Sequence, residues 1–134
     1  DAGASRPWLH WVGVQRGSDK AAWFRAATLY LSPGAVGLHV LDAFCAGIPM
    51  ITTAGARHGP EIAYLDSGRN GFVVADDAQG YAHTVLQLLA EPARLEQVRA
   101  CAAQDARRYT LDNMVRRFVE GIEACLRLPP KRRG

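Results

Sequence analysis

No stretch of the chain approaches the ~18 consecutive apolar residues that a membrane-spanning helix needs, and none resembles a signal peptide. Cysteine is scarce: Cys45, Cys101 and Cys125 are odd in number, and their spacing fits neither a disulfide framework nor a metal site. We therefore expect reduced thiols, buried on the apolar sides of helices in a cytosolic protein.

The chain also lacks a concentrated charge of either sign. Its net charge is +3, and part of that comes from the terminal run Lys131-Arg132-Arg133. A nucleic-acid-binding domain would carry a clustered basic face, so we expect no nucleic-acid partner. Apolar residues make up 49% of the 134 residues, which is enough for one globular core. We expect a single domain over residues 1–128 and a disordered tail at 129–134.

Residues 1–76 alternate short apolar runs with amphipathic helical patterns. The predicted elements are strands at 9–14, 28–31, 50–52 and 72–75, with helices at 20–27 and 37–46 between the first three strands. Short strand–helix–strand connections predict a parallel sheet, and continuous apolar strands predict helices on both of its faces. Residues 77–128 show three further amphipathic helices. The expected fold class is α/β, a Rossmann-like parallel sheet with flanking helices and a helical C-terminal portion.

Apolar residues at helical spacing mark the faces that we expect to be buried. Their members are Ala22, Trp23, Ala26 and Ala27 on the first helix and Leu38, Leu41, Phe44 and Cys45 on the second. The last helix carries seven such residues between Leu111 and Leu126, a pattern that favours core packing over a membrane surface. Trp8 and Trp11 are expected to pack in the core or against a sheet edge.

The strand at 28–31 is joined to the second helix by a glycine-bearing turn, LSPGAVG at 31–37. Such a turn forms an anion site, because free backbone N–H groups and the helix dipole point at the same place. Gly34 and Gly37 would let a ligand approach the main chain, or they would serve turn geometry alone. Asp42 lies about one turn into the helix, where its carboxylate either reaches a ligand or merely stabilises the helix. Amides for phosphates and an acid for ribose hydroxyls suit a nucleotide.

Five motifs follow in order from this turn. They are GLHVLDAF at 37–44, GIP at 47–49, ITT at 51–53, HGPE at 58–61 and NG at 70–71. This series, within a match from about Trp11 to Ala75, resembles the donor-binding C-terminal domain of retaining family-4 (group 1) glycosyltransferases, which have the GT-B fold. The resemblance implies transfer of a sugar from a nucleotide-diphosphate donor, such as a UDP-, GDP- or ADP-sugar. It implies no cofactor and no metal.

On that resemblance the chain would be the donor-binding half, and a missing N-terminal domain would hold the acceptor, a saccharide or lipid. The enzyme would be cytoplasmic, or peripheral at the inner face of a membrane. A sheet edge left exposed by missing strands would allow self-association. The alternative is a non-catalytic nucleotide-binding or interaction module. A dinucleotide-dependent oxidoreductase is disfavoured, because no Gly-x-Gly-x-x-Gly motif follows a first strand.

The family's two acidic residues, eight positions apart, fall here on Gly34 and Asp42. Asp42 would keep the contact with the ribose hydroxyls, and the main chain at Gly34 would have to replace the other acid's contact with the sugar. The other residues that the resemblance places near the ligand are Ala35, Val36, Gly37 and Leu38 for diphosphate and sugar, Gly13 and Val14 for the base, and His39 and His58 at the cleft rim. Either histidine could equally lie outside the site, and Glu61 is expected to stabilise its own helix. No residue stands out as the catalytic side chain.

Overall fold

The computed structural model describes residues 6–129, and most of the predicted tail, residues 130–134, lies outside that range. The described elements are α1 (Gly17–Ala26), β1 (Tyr30–Leu31), α2 (His39–Ala46), β2 (Met50–Thr53), a 3₁₀ helix (Pro60–Tyr64), β3 (Gly71–Val74), α3 (Ala78–Ala90), α4 (Pro92–Ala106) and α5 (Leu111–Arg127). All five predicted α-helices and three of the four predicted strands are therefore confirmed, within a few residues at their ends.

The three strands form a parallel sheet in the order β1-β2-β3, with Tyr30 opposite Met50. β2 is the centre of the sheet, and all four of its residues are buried. Neighbouring residues of a strand point to opposite faces. Met50 accordingly packs in an apolar cluster with Phe44 of α2, whereas Ile51 packs with Leu88 of α3 on the other face. The structure therefore confirms the predicted α/β fold, with helices on both faces of a parallel sheet.

Two glycines determine how these elements join. Gly47 ends α2 with a left-handed φ of 64°, a conformation that glycine adopts without strain. Gly71 begins β3 opposite Met50, and a Cβ placed there would lie 2.7 Å from the Met50 carbonyl oxygen and 2.6 Å from Leu65 Cδ2. β3 approaches β2 this closely because residue 71 has no side chain.

A buried polar network ties α4 to the turn before β3. The Asp105 carboxylate accepts hydrogen bonds from Asn70 Nδ2 at 2.7 Å and from the Arg69 guanidinium. Asn70, itself fully buried, also donates to the Tyr64 carbonyl at 2.9 Å and accepts from the Asp66 amide at 2.8 Å. Burial raises the pKa of Asp105, but the hydrogen bonds from Asn70 and Arg69 outweigh it, so the pKa lies below the ordinary aspartate value. The fold therefore favours the charged form of Asp105.

The predicted strand at 9–14 is wrong. Residues 6–16 form no strand, and the side chains of Trp8 and Trp11 are 70% and 93% exposed instead of packing in a core or on a sheet edge. β1 is only two residues long, and among the described residues no strand lies beside its free edge. An apolar run becomes a strand only when a partner strand satisfies its backbone groups, so this segment stays irregular.

The predicted buried faces of α1 and α2 are only partly right: Phe44 is buried and Ala27 and Leu41 pack against the core, but the other predicted residues face outward or are half-exposed. Trp23 is 51% exposed, and Phe24 packs against the core instead. Leu38 is 67% exposed and Cys45 is also exposed. The residues that α2 buries are Val40, Ala43 and Phe44. Both faces of α2 have helical spacing and share Phe44, but α2 packs between α1 and α4, which bury the face with Val40 and Ala43.

α5 does not pack in the core, which contradicts the prediction for the last helix. Its seven apolar side chains are 47–80% exposed, and within residues 6–129 no other element covers that face. The helix is held at its start, where Thr110 Oγ1 accepts a hydrogen bond from the Asn113 amide at 3.2 Å. Local capping thus stabilises a helix whose apolar face has no partner in the described chain.

The three thiols are unpaired, as predicted, but they are not buried. Cys45 and Cys125 are exposed and Cys101 is half-buried, because the helix faces that carry the first two point to solvent. Within the described range, no helix combines the length and the apolar character needed to cross a membrane.

Candidate functional site

The loop at residues 32–38 leaves the carboxyl end of β1 and passes the carboxyl end of β2 on its way to α2. Three of its carbonyl groups are held from the protein side by hydrogen bonds. The pairs are Thr53 Oγ1 with the Pro33 oxygen (2.9 Å), Thr52 Oγ1 with the Gly34 oxygen (3.1 Å) and the Gly59 amide with the Val36 oxygen (2.9 Å). These bonds come from the buried central strand and the segment after it, so they fix the loop to the sheet.

The N–H groups of the same peptide units point the other way. In a trans peptide the N–H and C=O groups are opposed, and residues 6–129 contain no cis peptide. Because the three carbonyls face the protein, the N–H groups of Gly34, Ala35 and Gly37 face outward. The amides of Leu38 and His39 at the start of α2 add two more, and in the described chain none of the five donates to a protein acceptor. These five amides form an anion cradle at a helix N-terminus.

The Ala35–Val36 peptide is the exception in this loop. The Val36 N–H donates to His58 Nδ1 at 3.1 Å, and His58 Nε2 lies 2.7 Å from the Thr53 carbonyl oxygen. A carbonyl oxygen only accepts, so Nε2 carries the ring proton and Nδ1 is the acceptor. His58 therefore braces the loop from the protein side. The Val36 amide, which was predicted to meet the diphosphate, is already engaged in this conformation.

Gly34 and Gly37 face open space. Neither has the left-handed φ that favours glycine, and a Cβ placed at either position would meet no described atom within 4 Å. Neither a left-handed φ nor a packing contact with the described residues requires glycine at these two positions. The open space above both positions leaves the main chain accessible, and a ligand contact there stays a prediction.

Asp42 lies on the side of α2 that faces α1. Its carboxylate oxygens are 2.8 and 2.9 Å from Lys20 Nζ, and the side chains of Lys20 and Asp42 are 42% and 36% exposed. Together with Phe24 and Cys45 they line a cavity of about 210 Å³ between the two helices. A carboxylate has about four acceptor positions, so this pair leaves capacity for hydroxyl groups. Contact between Asp42 and a ribose stays a prediction.

Two aromatic rings adjoin this ion pair. Burial raises the pKa of Tyr30, and the nearby Asp42 charge adds to the rise. The His39 ring meets the Tyr30 ring edge-on, with centroids 5.6 Å apart. His39 Nε2 is buried and has no hydrogen-bond partner within residues 6–129. The His39 side chain therefore packs on Tyr30, and its backbone amide is the part that joins the cradle.

The remaining predicted residues are not brought into the cradle. Gly13 and Val14 belong to the exposed segment before α1, and no hydrogen bond described for residues 6–129 joins that segment to the loop. The Leu38 side chain is 67% exposed beside the loop. Glu61 lies in the first turn of the 3₁₀ helix, as predicted. The structure thus gathers the loop amides and His58, with Asp42 one turn further along α2.

Sequence reasoning missed three residues of this region, namely Thr52, Thr53 and Lys20. The two threonines end a buried strand and are 0% and 4% exposed. Hydroxyl groups at the end of a predicted buried strand need acceptors, and this was the signal that they would bind a neighbouring carbonyl. Nothing in the sequence joins Lys20 to Asp42. Among the described residues, no three His, Cys, Asp or Glu side chains lie close enough to hold a metal ion.

A parallel α/β sheet with unpaired amides at its carboxyl edge is an arrangement in which many proteins bind phosphate groups and nucleotides. Residues 2–91, about two thirds of the chain, match the family model of the glycosyl transferases group 1. The chain therefore belongs to the group 1 glycosyltransferases. A comparison with curated protein sequences found no match.

Solved structures of glycosyltransferases share the fold. Anabaena Alr3699/HepE in complex with UDP has a TM-score of 0.67 at 17% identity over 81% of this chain and 30% of its own. Sucrose-phosphate synthase from Thermosynechococcus elongatus has a TM-score of 0.66 at 18% identity over 78% of this chain and 27% of its own. The pneumococcal O-GlcNAc transferase GtfA has a TM-score of 0.60 at 24% identity, over 78% of this chain and 22% of its own. The chain thus spans less than a third of each of these proteins and has the fold of GT-B glycosyltransferases.

Proposed function

We propose that the chain is the donor-binding half of a retaining glycosyltransferase, which transfers a sugar from a nucleotide diphosphate to an acceptor. The anion cradle carries this proposal: in the described chain its five amides have no protein acceptor, and two glycines leave the main chain accessible beside them. Membership of the group 1 family supports it. UDP is the first ligand to test, because structures of similar fold contain UDP or UDP-glucose.

Under this proposal each part of the site meets one part of the donor. The diphosphate accepts hydrogen bonds from the outward amides, and the α2 dipole offsets its charge without a metal or cofactor. Asp42 accepts hydrogen bonds from the ribose hydroxyls, and Lys20 holds that carboxylate in place. The base lies near Gly13 and Val14. The acceptor, a saccharide or lipid, binds outside this chain.

Titration calorimetry of the 134-residue chain with UDP, GDP and ADP tests the proposal. We expect one of the three to bind, and we expect Gly37→Ala to weaken it at least about tenfold because a methyl group occupies the space above the amides. Gly121→Ala in α5 is the matched control, with no atom within 4 Å of the added Cβ at either position. Neither variant should lose stability. No binding of any of the three diphosphates would refute the proposal.

Asp42→Ala tests the ribose contact by the same measurement. We expect a loss of ~1.5–3 kcal/mol in binding, the usual size for a hydrogen bond to a charged group. The free energy of unfolding should change by less than ~1 kcal/mol, because the lost ion pair is partly exposed. Unchanged affinity would remove Asp42 from the site.

A non-catalytic nucleotide-binding module is the second candidate. Gly34 favours it, because this position carries no carboxylate where the family has its first acid. Sugar release from UDP-glucose, followed by NMR on the protein expressed from its native gene, separates the two. The enzyme consumes the donor, whereas a module binds it unchanged.

Location and self-association belong to the same proposal. We infer a cytoplasmic protein, or one peripheral at the inner membrane face, because its three thiols are unpaired. The free edge of β1 is a surface through which copies could pair.

A further inference from the structure

One peptide of the cradle loop is turned opposite to its neighbours, which gives the loop an acceptor as well as donors. Because the Val36 N–H points to His58, the Ala35 carbonyl in the same peptide points away from His58. Ala35 is exposed, and its carbonyl oxygen accepts no hydrogen bond from the described part of the chain. The loop therefore presents one outward carbonyl oxygen among outward N–H groups.

His58 holds this peptide in its turned orientation. The ring is fixed by two bonds of opposite kind, one donated by Nε2 to the Thr53 carbonyl at 2.7 Å and one accepted by Nδ1 from Val36 at 3.1 Å. The next residue, Gly59, donates to the Val36 carbonyl at 2.9 Å. His58 therefore holds the N–H group of the Ala35–Val36 peptide towards the protein, whereas Gly59 holds the C=O group of the Val36–Gly37 peptide towards it. Val36 is 1% exposed. Without an acceptor at the Nδ1 position its N–H would lose its partner, and the peptide would turn to satisfy it.

The outward carbonyl oxygen selects for a hydroxyl group on the ligand. Ionised phosphate oxygens carry no hydrogen, so a diphosphate alone cannot donate to this exposed oxygen and leaves it to water. Along the chain the loop presents donors at Gly34 and Ala35, the acceptor at Ala35, donors at residues 37–39 and then the Asp42 carboxylate. A diphosphate between two hydroxyl-bearing rings has the matching order, with ribose at Asp42 and the second sugar at Ala35.

We propose that His58 is a positioning residue for sugar recognition. It turns the Ala35 carbonyl towards a hydroxyl group of the transferred sugar. This main-chain oxygen accepts the hydrogen bond that glycine at position 34, which has no carboxylate, cannot accept. The inference rests on the proposed function, because its ligand is a nucleotide sugar.

Two substitutions of His58 each keep one of the two hydrogen bonds of the ring and remove the other. In His58→Asn the Oδ1 atom takes the place of Nδ1 and still accepts from the Val36 N–H. In His58→Gln the amide reaches the place of Nε2, so only the bond to Thr53 survives. His83→Asn is the control, because His83 lies on the exposed side of α3. The probes are UDP, GDP and ADP, followed by the glucose conjugate of the one that binds best.

We expect His58→Gln to raise the Kd of the glucose conjugate about tenfold more than the Kd of the diphosphate. His58→Asn and His83→Asn should each stay within about threefold of wild type for both ligands. Equal weakening of both ligands in His58→Gln, or identical behaviour of the two His58 variants, would overturn the inference and leave the nucleotide site standing. A wild type that binds no diphosphate would overturn the proposed function, and the inference with it.

Amide hydrogen exchange tests the same peptide without a ligand. The Val36 amide should exchange at least about tenfold more slowly than the outward amides of Gly34, Ala35 and Gly37. His58→Asn should keep this protection and His58→Gln should lose it. Exchange at Val36 as fast as at Gly37 in the wild type would overturn the inference even where a variant fails to fold.

Discussion

Asp105→Ala is expected to be strongly destabilising, because it removes the centre of the buried network between α4 and the turn before β3. The Asp105 side chain is 3% exposed and accepts a hydrogen bond at 2.7 Å from Asn70, which is itself fully buried. The substitution leaves that Asn70 N–H without an acceptor, which costs ~1–3 kcal/mol. The bond from Arg69 is also lost, but Arg69 is 38% exposed and keeps Asp66 at 2.7 Å, so this part is worth ~1 kcal/mol or less.

Together these effects predict a loss of ~1–4 kcal/mol in the free energy of unfolding at pH 7. Urea unfolding followed by circular dichroism measures it. Glu96→Ala is the matched control on the same helix, because Glu96 is 79% exposed and its partner Arg99 lies at 4.0 Å. The control should change stability by no more than ~0.5 kcal/mol. A loss below ~1 kcal/mol for Asp105→Ala would refute the reasoning, since a buried amide left unpaired costs at least that much.

The pKa shift of Asp105 also predicts how its contribution to stability changes with pH. The pKa of Asp105 is lower in the folded chain than the ordinary value of about 3.9. Its contribution to stability is therefore complete above about pH 5 and is lost as the pH falls through about 4 towards the lower pKa of the folded state. The difference between wild type and Asp105→Asn should stay constant from about pH 5 to 8 and shrink below it. A difference that grows on acidification would mean that the fold holds the protonated carboxyl.

Two further predictions concern packing. Gly71→Ala should cost at least ~2 kcal/mol in urea unfolding, because its Cβ would lie 2.7 Å from the Met50 carbonyl oxygen of the central strand; a smaller loss would show that β3 shifts without strain. Phe118→Asp should leave the free energy of unfolding within ~0.5 kcal/mol in the same measurement, because Phe118 is 70% exposed. A clear loss of stability in that variant would show that the α5 face is covered.

The features that the sequence predicts correctly are those that short-range interactions decide. β2 and β3 are short apolar runs, and α3 and α4 have helical spacing over several turns, so local pattern is enough to identify them. The place of the cradle loop follows as well, because strand–helix–strand order puts the loop at the carboxyl edge of a parallel sheet. Gly47 ends α2 as expected for the same local reason.

Contacts between distant segments decide what the sequence does not predict. Two faces of α2 fit helical spacing equally well, and packing of α1 and α4 against it selects the one with Val40, Ala43 and Phe44. The ion pair of Lys20 with Asp42 and the bond of His58 with Val36 each span 22 residues. A single sequence carries no pattern for such pairs. The strand predicted at 9–14 fails for a related reason, since a strand exists only with a partner.

The stiffness of the cradle comes from the most buried strand of the sheet. Thr52 and Thr53 end β2, and their hydroxyl groups donate to the Gly34 and Pro33 carbonyls of the loop. Moving the loop away would leave both hydroxyls without partners where the residues are 0% and 4% exposed, at ~1–3 kcal/mol each. The loop therefore keeps its shape without a ligand. A diphosphate that binds there has little chain to order, so most of the free energy of its new hydrogen bonds appears as affinity.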